Sequence, residues 1–148
     1  MRIIVISDTH QYYRNFETIV LRNPDADMFL HLGDGESEYQ LLCRNMPEVA
    51  DKFRYVKGNC DYSSDAPLTE LIDVAPNHRI LATHGHRYRV NSTLDYLEQE
   101  ALENGIYVMN PGSASCPRDG NPPSYGVLEI TSAGIMTNVV FLTPKTMF

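Results

Sequence analysis

Apolar residues along this chain fall into short blocks, and block after block ends abruptly in polar residues. Ile3-Ile4-Val5-Ile6 is a run of four β-prone residues. It predicts a strand buried on both faces, as in a parallel sheet. The run breaks off at Ser7-Asp8-Thr9-His10. Phe16, Ile19, Val20 and Asn23 follow at helical spacing, predicting a short amphipathic helix over Asn15–Arg22 that stops before Pro24. A second apolar block, Asp27–Leu32, ends in Gly33-Asp34, and His31 inside it reads as a packed strand histidine. Ser37-x-x-Gln40 has the form of a capping box, with Tyr39, Leu42, Cys43 and Met46 marking one helical face. Phe53–Lys57 reads as a third strand, ending in Gly58-Asn59-Cys60-Asp61. Strand signals return at Glu70–Val74 and Arg79–Thr83, turned at Pro76-Asn77, and the second ends in His84-Gly85-His86. Ser92-x-x-Asp95 with Leu94, Leu97, Ala101 and Leu102 predicts another capped helix, stopped by Asn104-Gly105. Ile106–Met109 reads as a strand, and a Pro/Gly-rich loop from Asn110-Pro111-Gly112-Ser113 reaches Pro123. Tyr125–Thr131 and Ile135–Leu142, joined across Ser132-Ala133-Gly134, predict a closing hairpin.

The first half thus reads βαβαβ and the second mostly β, which predicts an α/β fold of two stacked sheets with helices outside. With no internal repeat or linker, residues 1–148 form one expected domain. An excess of 19 acidic over 12 basic residues, net −7, argues against a nucleic-acid patch or an anionic membrane as partner. No apolar run is long enough to span a bilayer, and Met1-Arg2 leads directly into a strand, so the expected location is cytoplasmic. Cys43, Cys60 and Cys116 are odd in number and form no Cys-x-x-Cys pair, which disfavours a disulfide framework or a thiolate zinc site. Cys43, on the apolar side of its helix, reads as a small core residue.

The strand ends carry the chemistry. Side chains along an extended chain alternate, so Asp8 and His10 point to one side. In open α/β sheets ligands bind at that carboxyl edge. Asp8 could equally be a turn residue, and His84 and His86 a solvated loop; Asp-x-His and Gly-Asp strings are common by chance. Four such strand ends in this order are a much stronger signal. Asp8, His10, Asp34, Asn59 and His84 together offer carboxylate, amide oxygen and imidazole, a set suited to Mn²⁺, Fe²⁺, Zn²⁺ or Ni²⁺. Asp34 has two oxygens and can bridge two cations, with Asp8 and His10 on one, Asn59 and His84 on the other. Two divalent ions about 3.5–4 Å apart would activate a bridging hydroxide for in-line displacement at phosphorus.

Asp8-Thr9-His10, Gly33-Asp34, Gly58-Asn59-Cys60-Asp61 and His84-Gly85-His86 resemble the motifs of the calcineurin-like metallophosphoesterases. Cys60 and Asn110-Pro111-Gly112-Ser113 bring the chain nearest to the small YfcE-type phosphodiesterases of bacteria and archaea. The resemblance runs from Arg2 to about Ile130. It implies a four-layer αββα sandwich and two divalent metals, commonly Mn²⁺. Small phosphodiesters or phosphomonoesters would be the substrates, and homo-oligomers are common. It also implies that Asp8, His10 and Asp34 serve the first metal, and Asp34, Asn59 and His84 the second. Many relatives carry His where Cys60 stands, thought to protonate the leaving group; a thiol is a poorer acid there, so a reactive leaving group is expected. Asn59, Cys60, Asp61 and His86 are the implied catalytic set, with Asp61 and His86 on the substrate side or behind the ligands.

Two departures stand out. Gln11 replaces a usual glycine. More seriously, the family carries a Gly-His-x-His motif before the Asn-Pro-Gly-Ser strand, whereas here Asn104-Gly105 runs straight into Ile106 and no His follows His86. A strand, its His pair and a hairpin arm are missing, on the order of 20–25 residues. The close match on both sides favours loss or omission of a block over gradual divergence. A gap between Gly105 and Ile106, or a sheet edge covered by a partner, is the expected consequence. The competing reading is a weak or inactive member of the fold serving as a scaffold, as the similar retromer Vps subunit does. A flavodoxin-like nucleotide binder is disfavoured, since no Gly-rich phosphate loop follows the first strand.

Overall fold

Strand β1 (Arg2–Ile6) is the centre of a five-stranded sheet of order β3-β2-β1-β6-β7 in the computed structural model, which describes residues 1–76, 78–88, 108–118 and 120–142. β1, β2 (Met28–His31) and β3 (Phe53–Tyr55) run parallel, with Ile6 opposite His31 and His31 opposite Tyr55. Their crossovers are helix α1 (Tyr13–Arg22), then α2 (Glu36–Asn45) and the single turn α3 (Pro47–Ala50). On the other side of β1, β6 (Ser124–Thr131) pairs antiparallel, and β7 (Gly134–Phe141) closes the hairpin. A second sheet is the antiparallel pair β4 (Thr69–Ala75) and β5 (His78–Thr83).

The run at Ile3–Ile6 is buried on both faces because each face meets a different layer. Ile4 and Ile6 join Phe16, Ile19, Val20 and Leu42 in a core under the helices. Ile3 and Val5 join Met28, Leu30, Ile72 and Ala82 in a core between the sheets. Ile3, Ile4 and Ile6 have no solvent exposure, so each contributes roughly 1.5–3 kcal/mol by burial. The α/β fold with two sheets and helices is as the hydrophobic pattern predicts.

Some local expectations are corrected. The Ser37-x-x-Gln40 capping box does not form, because α2 begins earlier, with Gly35 as N-cap and no side chain of its own at the cap. The Asp61 carboxylate takes that place, accepting the N–H groups of Gly35 at 3.1 Å and Glu36 at 3.2 Å. Ser37, left inside the helix, donates to Glu38. In the expected strand Ile106–Met109, Val108 and Met109 are not in a strand, and its first two residues lie outside the described residues. The expected helix from Ser92 and the Gly105-Ile106 junction also lie outside them.

Candidate metal centre

Because β1, β2 and β3 are parallel, their carboxyl ends share one edge, and the loops leaving them interlock. Asp8 N–H donates to Gly33 O at 3.0 Å and His10 N–H to Asp34 O at 3.1 Å, tying the first loop to the second. Gly33 lies at φ +106°, and a Cβ there would strike the Gly58 backbone; a Cβ on Gly58 would strike Asp34. Only glycines let the second and third loops approach so closely. Among the described residues, the non-glycine positions with positive φ are Asp8 (56°), His10 (38°), Gln11 (68°) and Asp34 (58°), all in these loops. Backbone strain of about 1–3 kcal/mol each persists only where surroundings enforce it, and it concentrates at functional sites.

A cleft of about 170 Å³ opens at this edge, lined by Asp8, His10, Asp34, Asn59, Cys60, His84, His86 and Arg118. Every metal-ligand candidate of the sequence therefore reaches one place. Asp34 is 4% exposed, and its Oδ2 stands between two imidazoles, 3.8 Å from His10 Nε2 and 3.5 Å from His84 Nε2. His10 Nε2 is also 3.3 Å from Asp8 Oδ1. Ligand atoms of His10, Asp34 and Cys60 lie within 4.8 Å of one another, and so do those of Asp8, Asp34 and His84; Asp34 belongs to both groups.

The tautomer of His84 follows from its partner. Its Nδ1 is 2.9 Å from Leu32 O, and a carbonyl can only accept, so Nδ1 carries the proton. In the neutral ring Nε2 is then a lone pair, 3.1 Å from Asn59 Oδ1. The Asn59 amide is turned that way because its Nδ2 donates to Cys60 Sγ at 3.3 Å. Imidazole, amide oxygen and carboxylate thus converge as acceptors with no donor between them, an arrangement that a cation satisfies. The donor set fits a divalent metal.

Asp61 does not line the cleft; it holds the loops from behind. Besides Gly35 and Glu36, its carboxylate accepts Asp34 N–H and Gly58 N–H, both at 2.8 Å, and Tyr55 O–H at 2.7 Å. Burial alone would raise its pKa, but these donors outweigh burial and hold it below the usual carboxylate range. Burial and the Asp61 charge conversely keep Tyr55 protonated. Cys60, though exposed at the cleft, has its thiol pKa raised by desolvation first and then by Asp34, Asp61 and Asp8. His86 stands 5.4 Å from His84, ring to ring, and its pKa is lowered by burial and by that neighbour. Its buried Nδ1 has no hydrogen-bond partner among the described residues.

His31 is more than the packed histidine expected. It has no exposure, stacks on Tyr55 at 4.9 Å, and burial lowers its pKa to about 4. Its Nδ1 accepts Gly33 N–H at 3.1 Å, so Nε2 carries the proton and donates to Thr9 Oγ1 at 3.3 Å. Thr9 donates on to Glu38 Oε1 at 3.2 Å, which also accepts Gln11 N–H. Burial opposes ionisation of Glu38, yet hydrogen bonds from Ser37, Gln11 and Thr9 hold it below its usual range. Nothing in the sequence around Glu38 signals this bond, since it joins α2 to the β1 loop. Sequence reasoning also misses Arg118, whose one signal is its place in the loop after Asn110-Pro111-Gly112-Ser113.

Known proteins share this arrangement of chain. Probable metallophosphoesterase YsnB of Bacillus subtilis is 30% identical over 150 residues, covering 88% of this chain and 85% of its own. Phosphodiesterase YfcE of Escherichia coli is 32% identical over 107 residues, covering 60% of this chain and 58% of its own. A predicted phosphoesterase from Streptococcus pneumoniae superposes with a TM-score of 0.71 at 25% identity, covering 95% of this chain and 88% of that one. Vps29 from Entamoeba histolytica shares the fold, with a TM-score of 0.65 at 23% identity over 97% of this chain and 100% of that one. The profile of the calcineurin-like phosphoesterase superfamily domain matches residues 1–104, well over half the length, and this chain belongs to that superfamily.

Proposed function

We propose that this protein is a phosphodiesterase that works with two divalent cations sharing Asp34. The observation that carries the reading is the placing of one buried carboxylate oxygen between His10 Nε2 and His84 Nε2. Asp8 and His10 would complete one position with Asp34, and Asn59 and His84 the other. When bound, the ions activate water and neutralise charge on the phosphoryl oxygens. The protein's own part is to fix geometry. Leu32 O orients His84, the Cys60 side chain orients Asn59, and Asp61 fixes the backbone beneath Asp34. Cys60 and His86 face the substrate, and the Cys60 thiol stays protonated, so it can donate a proton but only weakly.

Mn²⁺ is the cation the family resemblance favours, and the donor set also suits Zn²⁺, Fe²⁺ and Ni²⁺. Small phosphodiesters, or alternatively phosphomonoesters, are the proposed substrates. Three free cysteines suit a reducing compartment, and we place the protein in the cytoplasm. The Vps29 likeness supports a second reading, in which the fold serves as a scaffold with little or no catalysis. Hydrolysis of an aryl phosphodiester by the purified chain separates the two. The enzyme reading expects activity lost to a chelator and restored by Mn²⁺; a metal-loaded but inert chain would favour the scaffold.

A further inference from the structure

The loop before β6 is fastened to the end of β1. Ala114 N–H donates to Ser7 O at 2.9 Å, and the Ser113 hydroxyl donates to Asp8 O at 3.2 Å. Asn15 Nδ2 on α1 donates to Ala114 O at 2.9 Å. Ser113 Oγ accepts the N–H groups of Ser115 and Cys116, and Ser113 O accepts Ser124 N–H at 2.9 Å. Ala114 is fully buried at this anchor, and four residues on, after Pro117, Arg118 reaches the cleft. Arg118 O is held by Asn121 N–H at 3.2 Å. The loop is fastened to the end of β1 just before Arg118, and a turn closes just after it.

Arg118 is the one permanently cationic side chain among the cleft-lining residues. The others are carboxylates, imidazoles, an amide and a thiol, all able to hold a cation. A guanidinium cannot ligate a metal and has no acceptor to offer. Among the described residues it forms no ion pair, although Asp8 and Asp34 line the same cleft. A positive charge held beside a cation-collecting site has a use when an anion arrives with the cations.

We propose that Arg118 is a specificity-determining residue that takes the non-bridging phosphoryl oxygens of the substrate. This rests on the phosphoesterase reading above. Guanidinium is a planar fork that matches two oxygens at once. A phosphodiester has two non-bridging oxygens and one charge; if one is turned to the metals, one remains for Arg118. A phosphomonoester, or inorganic phosphate, leaves at least two oxygens and more charge. Arg118 therefore strengthens monoester and phosphate binding more than diester binding.

The test uses the full chain loaded with Mn²⁺, comparing wild type with R118A and R118K. Inorganic phosphate is titrated by calorimetry, and KM and kcat are measured for an aryl phosphodiester and an aryl phosphomonoester. R118A is expected to weaken phosphate roughly tenfold, as loss of a charged hydrogen bond does. KM should rise more for the monoester than for the diester, with kcat within about threefold. R118K should regain part of the affinity but not the preference, while Mn²⁺ affinity stays at the wild-type value. Unchanged phosphate affinity in R118A would overturn the proposal, and so would an equal loss of Mn²⁺ affinity. Should R118A fail to fold, R118Q is read by the same criteria. A wild type that hydrolyses neither ester would refute the phosphoesterase reading, yet the phosphate titration would still decide the role of Arg118.

Discussion

Asp34 is the residue on which the site turns, and its carboxylate is used on both sides. Oδ1 accepts Cys60 N–H at 2.8 Å, which fixes the side chain, while Oδ2 faces the two imidazoles. Asp34→Asn replaces one of those oxygens with an N–H₂ donor that no cation tolerates. His86→Ala removes a ring assigned to neither cation. Calorimetric Mn²⁺ titration should show a far larger loss for Asp34→Asn, tenfold or more. Equal losses, or a larger loss for His86→Ala, would mean that the ligand assignment is wrong. Cys60 gives a second expectation. A thiol whose pKa is raised is a weak proton donor, so rates across a series of aryl phosphodiesters should fall steeply as the leaving phenol becomes more basic. A flat series would show that leaving-group protonation does not limit the reaction.

At the scale of elements, the loops leaving β1, β2 and β3 and the start of α2 behave as one unit held by two buried polar centres. Asp61 binds four backbone N–H groups and one phenol. Each buried donor left without a partner costs about 1–3 kcal/mol, so Asp61→Ala should lose at least about 3 kcal/mol even if water replaces some bonds. Urea unfolding would measure it, and a change within about 0.5 kcal/mol, as at an ordinary surface site, would contradict the role assigned to Asp61. His31 is the other centre. Its folded pKa of about 4 lies below the free value of 6.5, so the unfolded chain binds a proton that the folded ring refuses. Its contribution is complete above about pH 6.5 and is lost as pH falls toward 4, amounting to roughly 3 kcal/mol over that window. Glu38 and Asp61, whose pKa values are lowered, act in the same direction at still lower pH. Urea midpoints at pH 7 and pH 5 should differ accordingly, and the His31 imidazole should remain neutral by NMR at pH 5. A ring that titrates near 6.5 would contradict the burial of His31 between Gly33 N–H and Thr9 Oγ1.

Across the whole molecule, the alternation of strands and helices from β1 to β3, the two hairpins β4–β5 and β6–β7, and the meeting of Asp8, His10, Asp34, Asn59 and His84 in one cleft are legible in the chain because they rest on local signals. A four-residue apolar run, a glycine before an aspartate and a histidine after a strand each mark their own position. Asp61 as the cap of α2, the His31–Thr9–Glu38 chain and Arg118 at the cleft are not legible that way. Each depends on residues far apart in sequence meeting across loops, and Ser37 offers a plausible local cap that a distant carboxylate displaces. The family's Gly-His-x-His block is absent from the sequence, in which no His follows His86. The intact mass should be 16.8 kDa if the block is lost; a mass greater by about 2–3 kDa would mean that the molecule carries it.

We propose that this chain, without the family's second His pair, still assembles a two-cation site that cleaves phosphodiesters. The most direct measurement is the rate of aryl phosphodiester hydrolysis by mass-verified, chelator-stripped protein as Mn²⁺ is returned in counted equivalents. Activity should rise from nothing and level off at two ions per chain. Activity that persists in the stripped protein, or none with two ions bound, would rule out a two-cation phosphodiesterase.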